Sequence, residues 1–255
     1  MMGNYEFRAQ LYHLEQCNDS DYSFYRTRLE GAAGSVLIVP CGIGRLRPIF
    51  LNRPQTFFMD IEPEMINILR EKMENAGEDP ACALVGDIRQ LPESLYDTII
   101  VPAEAIQMFD PTALQVVLLS IRRALRPAGF AVIDLATFEL GCGTPSYFDA
   151  RKTNGEKWLS WERRIPHRSM VKRYVHHFVA NNFIHFLFKY LIEDEVSGCI
   201  EYQDAQVRLW RYTDEEFRAS CATARLRIES SWNSYLPGPA SDATRLIYEV
   251  CRDQS

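Results

Sequence analysis

Two glycines and two aspartates stand just after short apolar runs, and residues of these types at this spacing could hold a nucleoside. Gly42 and Gly44 follow Ser35-Val36-Leu37-Ile38-Val39. Lacking side chains, they let the main chain approach a ligand closely, and the helix expected to follow offers free N–H groups. Asp60 lies 18 residues after Gly42, at the end of Thr56-Phe57-Phe58-Met59, where a carboxylate can accept two ribose hydroxyls. Asp87 closes a third run and is placed to accept from an adenine amino group. Either aspartate could equally cap a helix, and a lone glycine pair is a weak motif; stations in this order are a stronger signal than any one of them. The dinucleotide fingerprint G-x-G-x-x-G is not met, because Gly42-Ile43-Gly44 continues as Arg45-Leu46-Arg47. A ligand without a pyrophosphate fits better.

Candidate chemistry on an acceptor is less sharply marked. Glu104 and Gln107 follow the fourth apolar run, Tyr96 to Val101, and either can orient a hydroxyl or an amine; a solvated loop is the plainer reading. Four of the five histidines fall between 151 and 212, near Trp158, Trp161, Tyr174 and Trp210. In a strand Tyr174, His176 and Phe178 share one face, so His176 is the candidate general base, against a packed histidine as the alternative. No Ser-His-Asp constellation is present, and no His/Cys or paired-carboxylate spacing suits a metal. The seven cysteines form no CxxC pair and read as reduced thiols.

The elements that must position these residues follow from periodicity. Residues 5–31 read as one or two amphipathic helices, with Leu11, Leu14, Tyr22, Tyr25 and Leu29 at helical spacing, and a short helix is expected over 44–53. Over 35–135 apolar runs alternate with helical segments, the rhythm of a parallel sheet whose ligands sit beyond the carboxyl ends of its strands. The runs at 157–166, 168–180, 183–192 and 198–210 predict an antiparallel insertion. Thr213 then opens a helix with Glu216 completing a capping box, and two strands end the chain. The expected fold is α/β: a Rossmann-like, seven-stranded, mostly parallel sheet with helices on both faces and an antiparallel β insertion after the fifth strand. The expected division is 1–150, 151–210 and 211–255: N-terminal helices with the nucleoside-binding core, insertion, and the pieces completing the core sheet.

The segments VLIVPCGIGR (36–45), FFMDIEPEM (57–65), ALVGDIRQLP (83–92), YDTIIVPAEAIQMF (96–109) and IRRALRPAGF (121–130) resemble the class I S-adenosylmethionine-dependent methyltransferases that act on small molecules. The likeness is strong over 36–135, and RYTDEEF (211–217) echoes a later family element. It implies that Cys41, Gly42 and Gly44 flank the methionine portion of S-adenosylmethionine, that Asp60 holds the ribose and that Ile61 packs on adenine. Asp87 and Ile88 would meet the adenine edge, while Val101 and Pro102 line the sulfonium side. Tyr25 resembles an N-terminal lid tyrosine, with a helix-core residue as the alternative. The chain departs from the pattern at Ile38, where an acid is usual, and at Pro40, where glycine is usual. The resemblance implies methyl transfer to an oxygen or nitrogen of a small metabolite, with S-adenosylhomocysteine as product and a secondary metabolic pathway as the setting. The alternative is a protein that binds the cofactor without transferring methyl: a cyclase, an isomerase or a non-catalytic partner subunit.

The chain has 255 residues, 47% hydrophobic and 24% charged, with a net charge of −6. No apolar run approaches the ~18 residues a membrane span needs, and the N-terminus lacks an apolar signal core, so a cytoplasmic protein off the membrane is expected. Residues 151–192 carry nine Lys and Arg against two Glu, a surplus of seven positive charges that leaves thirteen negative for the rest. That pattern suits an anionic or electron-rich, aromatic acceptor, a homodimer contact between basic insertion and acidic body, or simply solvated hairpins. The acidic bulk and absent base-stacking motifs argue against nucleic acid.

Overall fold

The computed structural model describes residues 5–15, 19–30, 34–51, 53, 55–138, 145, 147–165, 169–194, 196–235 and 245–253. His167 and Arg168 of the basic stretch lie outside them, as do the side chains of residues 5–8 and 10.

A seven-stranded sheet forms the body. Its strands are β1 (Val36–Ile38), β2 (Thr56–Asp60), β3 (Ala83–Val85), β4 (Tyr96–Val101), β5 (Leu125–Ala136), β10 (Leu226–Trp232) and β11 (Arg245–Arg252). They lie in the order β10-β11-β5-β4-β1-β2-β3. The first five are parallel, and β11 runs antiparallel between β5 and β10. β1 is buried along its whole length because it is central and covered on both faces, which is why it reads as an unbroken apolar run. Alternate residues serve the two layers. Leu37, Ile99 and Ile133 face α4 (Pro111–Ala124) and α5 (Asp214–Thr223). Ile38, Ile100 and Val132 face α2 (Tyr22–Leu29) and α3 (Pro63–Asn75).

The helix starts follow local chemistry. Pro63 opens α3 at a position whose N–H would be unbonded anyway. The Asp110 carboxylate accepts from Ala113 N–H at 2.8 Å to cap α4, and Thr213 with Glu216 forms the expected capping box on α5. Where a helix was expected over 44–53, the chain makes turns and one 3-10 turn, Arg47–Ile49. Gly42 at φ +54° and Gly44 at φ +80° precede it and give that stretch its curl.

The insertion is a four-stranded antiparallel sheet, β6 (Trp158–Ile165), β7 (Ser169–Val179), β8 (Phe183–Asp194) and β9 (Ile200–Trp210), in sequence order. Its inner face, with Val171, Val175, Phe186, Phe188 and Tyr190, packs on Leu11 and Leu14 of α1 (Tyr5–Glu15) and on Ala136 and Phe138 beyond the body's edge. The other side of α1 places Ala9 and Tyr12 against Ile43, Met65 and Ile68. α1 is therefore wedged between the two sheets. Among the described residues no helix is long and apolar enough to cross a membrane.

Candidate functional site

The carboxyl ends of β1, β2 and β4 meet where the strand order reverses, the place at which open α/β sheets bind ligands. Val39 N–H donates to Ile100 O and Cys41 N–H to Met59 O, both at 2.9 Å, so the loop after β1 is pinned between its neighbours. Asp60 Oδ2 accepts from Gly42 N–H at 2.8 Å and Oδ1 from Glu62 N–H at 3.1 Å. Burial raises the Asp60 pKa, opposed by these amides and that of Ile61. Each carboxylate oxygen keeps a second lone pair, the number a vicinal diol can use. Beside it Ile61 is 47% exposed, an apolar side chain left uncovered next to a buried carboxylate. A Cβ on Gly42 would stand 2.9 Å from the Tyr12 ring. The close glycine backbone, the diol-competent carboxylate and the uncovered isoleucine fit an adenosyl group.

Other expected contacts are placed differently. Asp87 caps the 3-10 turn Ile88–Gln90 and forms a bidentate pair with Arg89, at 2.6 Å for the shortest contact, so its carboxylate is occupied and its pKa lowered. An amino group approaching it must share acceptors with that guanidinium. Ile88, Val101 and Pro102 are buried. The Cys41 thiol is buried, bonds Gly42 O at 3.3 Å, and is pushed far up in pKa by burial, which keeps it protonated.

Two N-terminal helices roof the glycine loop. Asp21, at the start of α2, grips Arg45 through two contacts of 2.6 Å, and the Tyr22 hydroxyl donates to Arg45 O. Arg45 stands where a dinucleotide fold begins the spacer to its third glycine, and here it is a tether. The tyrosine lying on Gly42 is Tyr12 of α1, which no motif in the sequence marks. Tyr25 sits at 0% exposure within α2, between Phe24 and Tyr235 and turned toward the β4–β5 edge.

At that edge lies a buried ion cluster that sequence spacing did not foreshadow. Ala103 and Glu104 both adopt left-handed backbone, φ +56° and +57°, a conformation costing roughly 1–2 kcal/mol for each non-glycine residue. That turn drives the Glu104 side chain inward rather than into solvent. Arg245, the first residue of β11, donates to Glu104 Oε1 at 2.6 and 3.2 Å, and its Nη1 lies 3.4 Å from Asp134 Oδ1. Asp134 Oδ2 accepts from Ala103 N–H at 3.0 Å and from the Tyr235 hydroxyl. Burial raises the pKa of both carboxyls, with Arg245 opposing. Two carboxylates thus share one guanidinium.

Gln107 has a different task from orienting an acceptor. Fully buried, it donates to Ala136 O at 3.1 Å and Trp210 O at 3.0 Å and accepts from Ala136 N–H at 2.7 Å. Both amide hydrogens are spent on backbone, so Gln107 staples the strand that leaves for the insertion to the strand that returns. His176 also departs from expectation. It lies on the outer face of the insertion sheet, with Nδ1 3.1 Å from Gly155 O, whereas the inward histidine is His177, buried among Phe148, Trp158 and Phe186. Strand periodicity pairs the residues of a face but does not say which face turns inward. Among the described residues no group of three or more His, Cys, Asp or Glu could hold a metal ion.

Residues 36–129 match the family model described as a methyltransferase domain. The whole chain is similar to solved structures at low identity. One is an S-adenosylmethionine-dependent methyltransferase from Clostridium acetobutylicum, at 15% identity over 97% of this chain and 98% of that one, with a TM-score of 0.76. Another is the sugar N-methyltransferase KedS8 from a Streptoalloteichus species, at 18% identity over 99% and 94%, TM-score 0.73. A third is CalS10, an amino pentose methyltransferase from Micromonospora echinaspora involved in calicheamicin biosynthesis, solved with S-adenosylmethionine bound, at 17% identity over 94% and 95%, TM-score 0.67. No curated protein matches the chain.

Proposed function

We propose that this chain, whose residues 36–129 form a methyltransferase domain, transfers a methyl group from S-adenosylmethionine to an oxygen or nitrogen of a small molecule, leaving S-adenosylhomocysteine. The observation that carries the reading is the Asp60 carboxylate tied to Gly42 N–H, with Ile61 uncovered beside it. Asp60 would accept the two ribose hydroxyls, Ile61 would cover one face of the adenine, and the Gly42 backbone would lie along the methionine portion under Tyr12.

The cofactor supplies a methyl carbon already activated by the sulfonium, so the protein's work is placement: an acceptor atom ~3–3.5 Å from that carbon and in line with the bond that breaks. Pro102 and Ala103, at the end of β4, border that position. α1, which lays Tyr12 against the glycine loop and is itself backed by the inner face of the insertion, would cover the site and exclude water. No covalent enzyme intermediate is needed, consistent with the neutral Cys41 thiol. CalS10 is an amino pentose methyltransferase and KedS8 a sugar N-methyltransferase, which supports a small-molecule acceptor for this chain, with a secondary metabolic pathway as the setting that fits. Under this reading 151–210 is the acceptor-facing lid, its basic stretch suits an anionic acceptor, and its outer face offers a contact for a second copy in the cytoplasm.

The test is calorimetry followed by transfer of radiolabelled methyl from S-adenosylmethionine to a panel of hydroxyl and amine acceptors. Micromolar binding of S-adenosylhomocysteine and labelled product are expected. Binding of NAD with no binding of S-adenosylhomocysteine would overturn the proposal.

A further inference from the structure

The cluster at the β4–β5 edge has an odd balance. Glu104 and Asp134 are both buried and share a single guanidinium, Arg245. Asp134 Oδ1, 3.4 Å from that guanidinium, accepts no hydrogen bond among the described residues. Independently, the Tyr25 hydroxyl comes down from α2, the layer covering that face of the sheet, is wholly buried and has no hydrogen-bond partner among the described residues; its ring lies 6.1 Å from that of Tyr235, whose hydroxyl bonds Asp134. A buried hydroxyl left so costs about 1–3 kcal/mol. A second carboxylate without its own counter-charge costs more, unless it is protonated. The two observations point to one kind of ligand: a group that is cationic and that donates several hydrogen bonds.

The cluster is also in the right place. Strand order puts β4 and β5 on one side of the glycine loop and β2 on the other. A ligand whose ribose rests on Asp60 and whose remainder crosses Gly42 therefore ends at Val101–Glu104. Ile38, on the same face of the sheet as Asp134, is packed in the core and offers no charge there.

We propose that Glu104, Asp134 and the Tyr25 hydroxyl form a binding site for an alkylammonium group. Such a group brings three N–H donors to three acceptors and one positive charge to the unbalanced carboxylate, while Arg245 and Tyr235 hold the carboxylates in place. The inference rests on the reading that the domain binds S-adenosylmethionine. Two sources carry this chemistry: the α-ammonium of the cofactor's own amino-acid tail, and an amine acceptor.

Calorimetry separates them. S-adenosylhomocysteine and 5′-methylthioadenosine, which lacks the amino-acid tail, are titrated into the wild type, Glu104→Gln and Tyr25→Phe, and glucosamine is titrated into each protein saturated with S-adenosylhomocysteine. Methylthioadenosine affinity is expected to hold in all three. Glu104→Gln is expected to weaken an ammonium-bearing ligand at least about tenfold, and Tyr25→Phe a few-fold. Loss confined to S-adenosylhomocysteine assigns the cofactor tail; loss confined to glucosamine assigns an amine acceptor. Tyr25→Phe removes a hydroxyl that bonds nothing, so it folds and melts at or above the wild-type temperature, and it carries the test if Glu104→Gln does not fold. Unchanged affinity for both ammonium ligands in a folded variant overturns the proposal and leaves a structural ion network. A wild type that binds neither adenosyl ligand overturns the functional reading beneath it.

Discussion

Replacing Asp60 by asparagine tests the core of the argument, because the structure says what the side chain holds on each side. In the protein, Oδ2 and Oδ1 accept from Gly42 N–H at 2.8 Å and Glu62 N–H at 3.1 Å. Asparagine keeps one oxygen and sets an NH2 group against the other amide, so one charge-assisted bond is lost and two donors face each other. A hydrogen bond to a charged group contributes about 1.5–3 kcal/mol, and that is the expected loss of stability in urea unfolding. The same substitution removes one acceptor from the ribose hydroxyls. At about 1.4 kcal/mol per factor of ten, the loss converts to roughly 10- to 140-fold weaker binding. Because the ribose is common to both ligands, S-adenosylhomocysteine and methylthioadenosine should weaken by the same factor in calorimetry. A stability loss of the expected size with both affinities within about threefold of wild type would refute the reasoning, since Asp60 would then be a loop brace that touches no ligand.

Three further outcomes follow from other contacts. Gly42→Ala places a Cβ 2.9 Å from the Tyr12 ring at φ +54°, so a loss of roughly 1–2 kcal/mol and weaker S-adenosylhomocysteine binding are expected, with part of the affinity restored when Tyr12→Ala is added; no restoration would show that the ring is not the obstacle. Gln107→Ala strips partners from Ala136 N–H, Ala136 O and Trp210 O, costing about 3 kcal/mol in urea unfolding at roughly 1 kcal/mol each, with cofactor affinity retained; a fall in turnover without a loss of stability would return Gln107 to an acceptor-orienting role. Glu104 has a folded pKa raised above its ordinary 4.5, so the folded state holds its proton longer than the unfolded one, and stability is full below that value and falls as pH rises through the raised one. Glu104→Gln should flatten that fall in melting temperature measured from pH 4 upward, and an unchanged slope would place the titration elsewhere.

Part of the candidate site was legible because its placement at the strand ends depends on local chemistry. The glycines after β1 and the aspartate after β2 could be read from residue type and spacing, and the capping box at Thr213 and Glu216 needs only four consecutive positions. What escaped the sequence depends on contacts far apart in the chain. Arg245 meets Glu104 across 141 residues, and nothing in either neighbourhood marks the pair. Tyr12 looks like any other helix residue until α1 is laid over Gly42. Glu104 reads as a solvated loop residue because two successive left-handed residues, neither of them glycine, turn it inward, and no spacing rule anticipates them. Which of His176 and His177 turns inward could not be read, because a two-residue period leaves the sign of the sheet's facing open.

The staple at Gln107 has a consequence for how this chain can change. The insertion departs at Ala136 and returns at Trp210, and both termini are held within 3.1 Å of one side chain. A segment whose two ends lie that close behaves as a cassette: its length and its exposed loops can vary without moving the strands that carry Asp60 and Gly42. The constraint on exchange is its underside, which must still grip α1 through Leu11, Leu14 and the Tyr190–Glu15 hydrogen bond. Under the proposed function, a transplanted cassette that keeps those anchors would bring a different lid to an unaltered Gly42–Asp60 edge; one that drops them would loosen the helix bearing Tyr12 as well.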